Sequence, residues 1–199
     1  MVDDALTRKA RQQRTAADLL DAAERVFLAE GYHATTIARI ARQAGYTHGA
    51  IYANFAGKDA LCTAVIERVV QAQLTGLLLR LATVPADIEP RIGAVEDWWR
   101  GLIDYEGLLV LALEFSLAVM RSDRAEMLRD QVRAGKKLIE AAIAMNLDPQ
   151  AAPLPVSLPE AATIVFVLSV GLGFDHAVDP DQPFERFASA LRALLTTSG

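Results

Sequence analysis

With 199 residues, of which 52% are hydrophobic, and a positive mean hydropathy, the chain can bury a substantial core and falls outside the disordered class. The apolar excess also predicts an interface or an internal pocket beyond what a monomer needs. A single cysteine, Cys62, excludes an intrachain disulfide and a cysteine-built zinc site, and it fits a reducing compartment. The formal charge of -5 argues against a nucleic-acid binder only until it is divided along the sequence: residues 1–59 carry +1 and residues 60–199 carry -6. Leu6 to Ala17 holds Arg8, Lys9, Arg11 and Arg14 with no acid, and Gly31 to Lys58 holds Arg39, Arg42 and Lys58 with none. The opening MVDDALTRKARQQR lacks the apolar stretch of a signal peptide, and neither end carries a targeting motif. The longest apolar run, Ala161 to Phe174, is 14 residues against the roughly 20 that span a bilayer. A soluble, cytoplasmic protein without a membrane partner is expected.

In chain order, Leu19, Ala23, Val26 and Phe27 repeat at helical spacing and predict a first helix ending near Gly31. Thr36 is a good N-cap for a second, short helix carrying Ile37, Ile40, Ala41 and Ala44, which Gly45 stops. Thr47 caps again, and Ile51 and Phe55 stand four apart on a third short helix. A long helix follows from Lys58 to about Ala82, with Leu61, Val65, Ile66, Val69 and Leu77 apolar. Pro85 and Pro90 bracket a loop, and helices are expected at 91–103, 106–121 and 124–146. Pro149, Pro153 and Pro155 mark a second linker before Ser157 to Glu160, a capping-box spacing that opens an apolar helix. Asp179 to Pro183 reads as a turn, and Phe184, Phe187, Leu191, Leu194 and Leu195 give a final amphipathic helix. The class is all-α, with no strand alternation and no internal repeat.

Two short helices joined by a glycine turn, with another helix behind them, make a helix-turn-helix whose second helix fits a major groove. That spacing also occurs in plain helical bundles. Residues 31–61, GYHATTIARIARQAGYTHGAIYANFAGKDAL, go further and resemble the DNA-binding segment of the TetR family of regulators. Gly31, Tyr32, Thr36, Ile40, Ala41, Ala44, Gly45, Gly49, Ile51, Tyr52, Phe55, Lys58 and Leu61 stand where that pattern places them, and Ala22, Ala23 and Phe27 fit the helix before it. The strong likeness covers about a quarter of the chain; the remaining helices agree only in number and apolar character.

The resemblance implies a helix-turn-helix domain over residues 1–57 and a helical effector-binding and dimerisation domain over residues 58–199. It implies that Thr36 and Thr47 meet phosphates at helix starts, where both also act as caps. His48, Gly49 and Ala50 would form the exposed first turn of the recognition helix, with His48 reading a base edge. Tyr52, Asn54 and Lys58 would hold the backbone and fix register. Two residues depart from the pattern: Asn54 stands where histidine is frequent, and Tyr46 replaces a small aliphatic in the turn. Arg39 and Arg42 either touch flanking phosphates or solvate their helix, the latter favoured. The basic residues before Ala17 either reach a minor groove or belong to a frayed terminus.

For the larger domain the resemblance implies a homodimer through the last two long helices and a small, mainly apolar effector that releases double-stranded operator DNA. Trp98, Trp99, Glu114, Phe115, Met120, Phe166, Ser169 and Phe174 are the candidate pocket residues, with packing the competing role for the aromatic ones. Glu114 interrupts an apolar run, so its carboxylate needs a partner: Arg129 or Arg133 in an ion pair, or else a ligand. His176 fits a capping or surface role better than a ligand contact. The rival reading is a helical ligand-binding or interaction protein whose helix-turn-helix is architectural. An enzyme ranks third, because Cys62, His33, His48 and His176 give no metal-ligand spacing, and neither a nucleophile motif nor a glycine-rich phosphate loop is present; no cofactor is expected.

Overall fold

A computed structural model describes residues 2–85, 87–146, 154–181, 183 and 185–195. The chain is all-helical over these residues. In order the helices are α1 (Val2–Ala34), α2 (Ile37–Ala44), α3 (His48–Asn54), α4 (Lys58–Leu81), α5 (Ile88–Ile103), α6 (Leu108–Met120), α7 (Ala125–Asn146), α8 (Leu158–Val178) and α9 (Glu185–Leu195). Pro149 and Pro153 of the expected linker, and Phe184 of the expected last stripe, lie outside the described residues.

The chain divides into two compact units. Met1–Gln71 together with Glu106–Ala118 form the first, and Ala72–Tyr105 with Val119–Gly199 form the second. The boundaries cut α4 and α6, so each of these helices contributes to both units.

In the first unit α1 packs on α2 and α3, and α2 on α3. Leu19, Ala23, Val26 and Phe27 of α1 are buried with Ile40 and Ala41 of α2 and Ile51 of α3, the residues that the helical spacing placed inward. Leu61 and Val65 of α4 and Leu111 and Phe115 of α6 are buried as well. Arg68 ties α4 to α1 through Glu24, Asp21 at 2.5 Å and the Leu20 carbonyl at 3.2 Å. Gly31 ends the regular path of α1 as expected: at φ 77° and ψ 177° it leaves helical space, and a short separate turn follows to Ala34. That backbone region is open essentially to glycine alone.

In the second unit α5 and α9 pack together, and α8 packs on both α7 and α9. Ile92 and Trp99 of α5, Val165 of α8 and Phe187, Ala188 and Leu191 of α9 form one buried cluster. Trp99 stacks on Phe187 with ring centroids 4.6 Å apart. The capping box is present at the start of α8, where Glu160 accepts from the Ser157 amide at 3.1 Å and from its hydroxyl at 2.7 Å. By length and composition α4 and α8 are long and apolar enough to cross a bilayer. In α8 the apolar character continues onto its exposed side, where Val167, Val170, Phe174 and Val178 recur at helical spacing.

Candidate nucleic-acid interface

The helix-turn-helix is built by local rules. Thr36, extended at φ -122° and ψ 151°, accepts the Arg39 amide on its hydroxyl at 3.2 Å and starts α2. After the 8 residues of α2, Gly45 takes the left-handed conformation, φ 74° and ψ 23°, and its amide closes on the Ala41 and Arg42 carbonyls. Only Tyr46 and Thr47 then separate the stop from α3, which is held inward by Ile51 at 0% exposure. The Tyr46 hydroxyl donates to Asp18 of α1 at 2.9 Å, which explains how this turn accepts a tyrosine in place of a small aliphatic.

The outward side of α3 is open. Thr47, His48 and Gly49 are exposed, Ala50 is half-buried and Tyr52 is 63% exposed. Thr47 makes no side-chain cap bond, so its hydroxyl is uncommitted to α3. The Thr36 hydroxyl keeps its proton available for donation, since it only accepts from Arg39. Asn54 is turned back on its own helix, donating from Nδ2 to the Ala50 carbonyl at 2.7 Å. Arg39 is not merely solvated: it pairs with Glu30 at 3.0 Å and donates to Gln43 at 3.1 Å.

Lys58 is half-buried. Its ammonium stands 4.2 Å over the Tyr32 ring and 3.5 Å from the His33 carbonyl, and burial lowers its pKa. Tyr32 in turn donates to Asp59 at 2.7 Å and meets Phe115 of α6 edge-on at 5.4 Å. The start of α4 is thereby fixed against the last turn of α1, at the C-terminal end of the recognition helix.

Glu114 belongs to this junction, contrary to the expected pairing. It accepts the His33 amide at 3.1 Å, and its carboxylate lies so close to Gly31 that a Cβ there would stand 2.7 Å from Oε2. Arg129 and Arg133 find acids one turn earlier on their own helix instead, Glu126 and Asp130, where little side-chain entropy is lost. No spacing rule in the sequence connects residue 114 with residue 33. The only signal was a carboxylate within an apolar run.

The other candidate pocket residues scatter. A pocket within the second unit, with about 730 Å³ of space counted out to its open mouth, is lined almost entirely by apolar groups, including Leu77, Ile92, Trp98, Ile139, Ile143 and Leu191. Of the candidates only Trp98 lines it. Trp99 is buried against Phe187 and donates to the Ser169 carbonyl at 3.4 Å, while the Ser169 hydroxyl bonds back to Val165. Phe115 is core of the first unit, and Met120 and Phe174 are exposed, at 54% and 55%. Phe166 sits under Lys136 of α7. Periodicity marks these positions as apolar but does not tell a core wall from a cavity wall. His176 lies 3.9 Å from Asp104, within the second unit.

An exposed, acid-free α3 behind a left-handed glycine, seated on an apolar three-helix core, has the helix-turn-helix arrangement. Residues 19–65 match the profile of the bacterial regulatory proteins of the tetR family. The transcriptional regulator TtgR of Pseudomonas putida is 44% identical over 59 residues, which are 30% of this chain and 28% of TtgR, so the chain matches little more than a quarter of that relative's length. Among solved structures, a TetR-family regulator of Pectobacterium atrosepticum superposes with a TM-score of 0.67 at 24% identity, covering 96% of this chain and 98% of its own. The triclosan complex of SmeT, from Stenotrophomonas maltophilia, gives 0.64 at 22% identity over 90% of each chain. At these identities the structures carry the fold alone, and the family likeness rests on the N-terminal segment. Residues 19–65 are thus similar to the N-terminal segment of tetR-family regulators, and the chain shares its fold with solved structures of that kind.

Proposed function

We propose that this chain is a TetR-family regulator, a cytoplasmic repressor that binds palindromic operator DNA as a homodimer and leaves it when a small, mainly apolar effector binds. Residues 1–57 supply DNA binding and residues 58–199 supply effector binding and dimerisation. The observation that carries the reading is the open face of α3. His48 faces outward to read a base edge, Gly49 and Ala50 permit close approach, and Thr36, Thr47, Tyr52 and Lys58 serve the phosphate backbone, with Asn54 joining them through the amide N–H not given to Ala50.

Dimerisation through α8 and α9 is supported by the exposed stripe on α8, where Val167, Val170, Gly171, Phe174 and Val178 leave one side of a long helix apolar and uncovered. Effector binding is supported by the apolar pocket around Trp98 and by the SmeT relative, whose structure holds triclosan and which is described as the repressor of a multidrug efflux pump. An effector that favours one conformation of the dimer over another shifts the population away from the DNA-competent spacing.

Mobility shifts with three variants test the assignment. Tyr52→Ala and Lys58→Ala weaken binding to every sequence and lower its salt dependence, whereas His48→Ala changes which sequence is preferred. Unchanged shifts in all three would remove α3 from the interface.

A further inference from the structure

The basic residues ahead of the first core residue, Leu19, are not an extended tail. They lie on α1, which is helical from Val2, with Arg8 through Arg14 exposed. A helix is about 10–12 Å across and the minor groove of B-DNA about 6 Å wide, so this segment cannot enter the groove as an extended arm would. Its charges must be used from outside.

Their direction follows from helical geometry. Asp18 marks the side of α1 that faces the turn of the helix-turn-helix, because it accepts the Tyr46 hydroxyl at 2.9 Å. Arg11, Arg14 and Asp18 stand at i, i+3 and i+7 and share that side. At 1.5 Å per residue Arg14 lies about 6 Å, and Arg11 about 10 Å, further along the axis than Asp18. The turn that Asp18 holds leads directly into Thr47 and His48 at the start of α3. The basic side of the extension is thus continuous with the entrance to the recognition helix.

The nearby acids have other partners: Asp18, still charged, accepts from the neutral Tyr46 hydroxyl, Asp21 and Glu24 pair with Arg68, and Glu30 pairs with Arg39. Neither Arg11 nor Arg14 pairs with a carboxylate among the described residues. Two exposed guanidiniums that form no ion pair among the described residues, on the side of α1 next to the proposed operator-binding face, are suited to phosphate oxygens.

We propose that the N-terminal extension of α1 is a second DNA-contacting element, in which Arg11 and Arg14 hold backbone phosphates flanking the bases that α3 reads. The inference rests on the operator-binding reading above. It adds affinity and salt dependence and leaves base preference unchanged, because phosphates carry no sequence code.

The test uses the full chain and an operator obtained by selection from random DNA, prepared as a duplex trimmed to the selected bases and as one extended by about one helical turn, roughly 10 base pairs, at each end. Affinity is measured across salt for the wild type and for R11A/R14A. Each lost phosphate contact lowers the slope of log K against log salt by about 0.9, so the double variant loses a slope of about 2 per protomer on the extended duplex and binds the trimmed one like the wild type. Equal slopes for the two proteins on the extended duplex overturn the inference and leave the α3 reading standing. Equal losses on both duplexes also overturn it, since the arginines would then support the core site. A wild type that selects no sequence takes down both readings together.

Discussion

Replacing Gly31 by alanine separates the geometry of the α1 bend from the chemistry of the group that grips it. At φ 77° and ψ 177° the position lies where an L-residue pays about 1–3 kcal/mol in backbone strain. The new Cβ would also stand 2.7 Å from Glu114 Oε2, so the carboxylate must swing away and give up the His33 amide, a bond worth about 0.5–1.5 kcal/mol. Gly31→Ala is therefore expected to destabilise by about 2–4 kcal/mol, the sum of those two contributions. Glu114→Ala alone should cost about 1 kcal/mol, and the double variant should fall short of additivity by roughly the same amount, because the bond can be lost only once. Urea unfolding at one fixed protomer concentration gives all four corners of the cycle, read as midpoints at constant m. A Gly31→Ala protein within 0.5 kcal/mol of the wild type would refute the strained bend, and full additivity would refute the grip of Glu114 on it.

Other substitutions reach other parts of the account. Gly107→Ala should be at least as damaging as Gly31→Ala, since φ is again 77° and the added carbon would meet the Leu28 carbonyl oxygen of α1 at 2.0 Å, backbone against backbone; thermal unfolding checks this. Phe174→Glu and Val170→Glu put charge into the exposed α8 stripe and should yield monomers by light scattering with helix content retained. Ile143→Trp fills the apolar pocket and should abolish quenching of tryptophan fluorescence by apolar effectors while operator binding persists. Cys62 is buried and its thiol is pushed up to about 12 by desolvation first and by Asp59 second, so native protein at pH 8 should resist iodoacetamide and unfolded protein should not. Because the unfolded thiol ionises near 9 and the folded one only near 12, the unfolded state binds fewer protons between these values, and stability should fall as pH rises through that window in urea titrations.

The parts of the molecule that obey short-range rules were legible in the sequence. Thr36, Gly45 and Thr47 dictate two starts and a stop from their own backbone preferences, and Ile40, Ala41 and Ile51 declare their burial by spacing alone. Ser157 and Glu160 announce α8 in the same way. What was not legible depends on residues distant in sequence. Glu114 finds a backbone amide 81 positions away, and Tyr46 is accommodated by an aspartate 28 positions earlier. Trp98 and Trp99 are adjacent and both apolar, yet one lines a pocket and the other stacks in the core on Phe187, a difference set by which face of α5 meets α9. The break at Gly31 was legible from the glycine itself, whereas the short turn that follows it to Ala34 was not.

Selection of bound sequences from a random duplex pool, followed by footprinting of the winner, bears most directly on the claim that α3 presents His48 and Tyr52 to an operator. Enrichment of an inverted repeat, with half-site centres about one helical turn apart and protection over both, is the outcome expected of a homodimer carrying two such helices. A pool that remains random through successive rounds, with retention governed by salt alone, would contradict it.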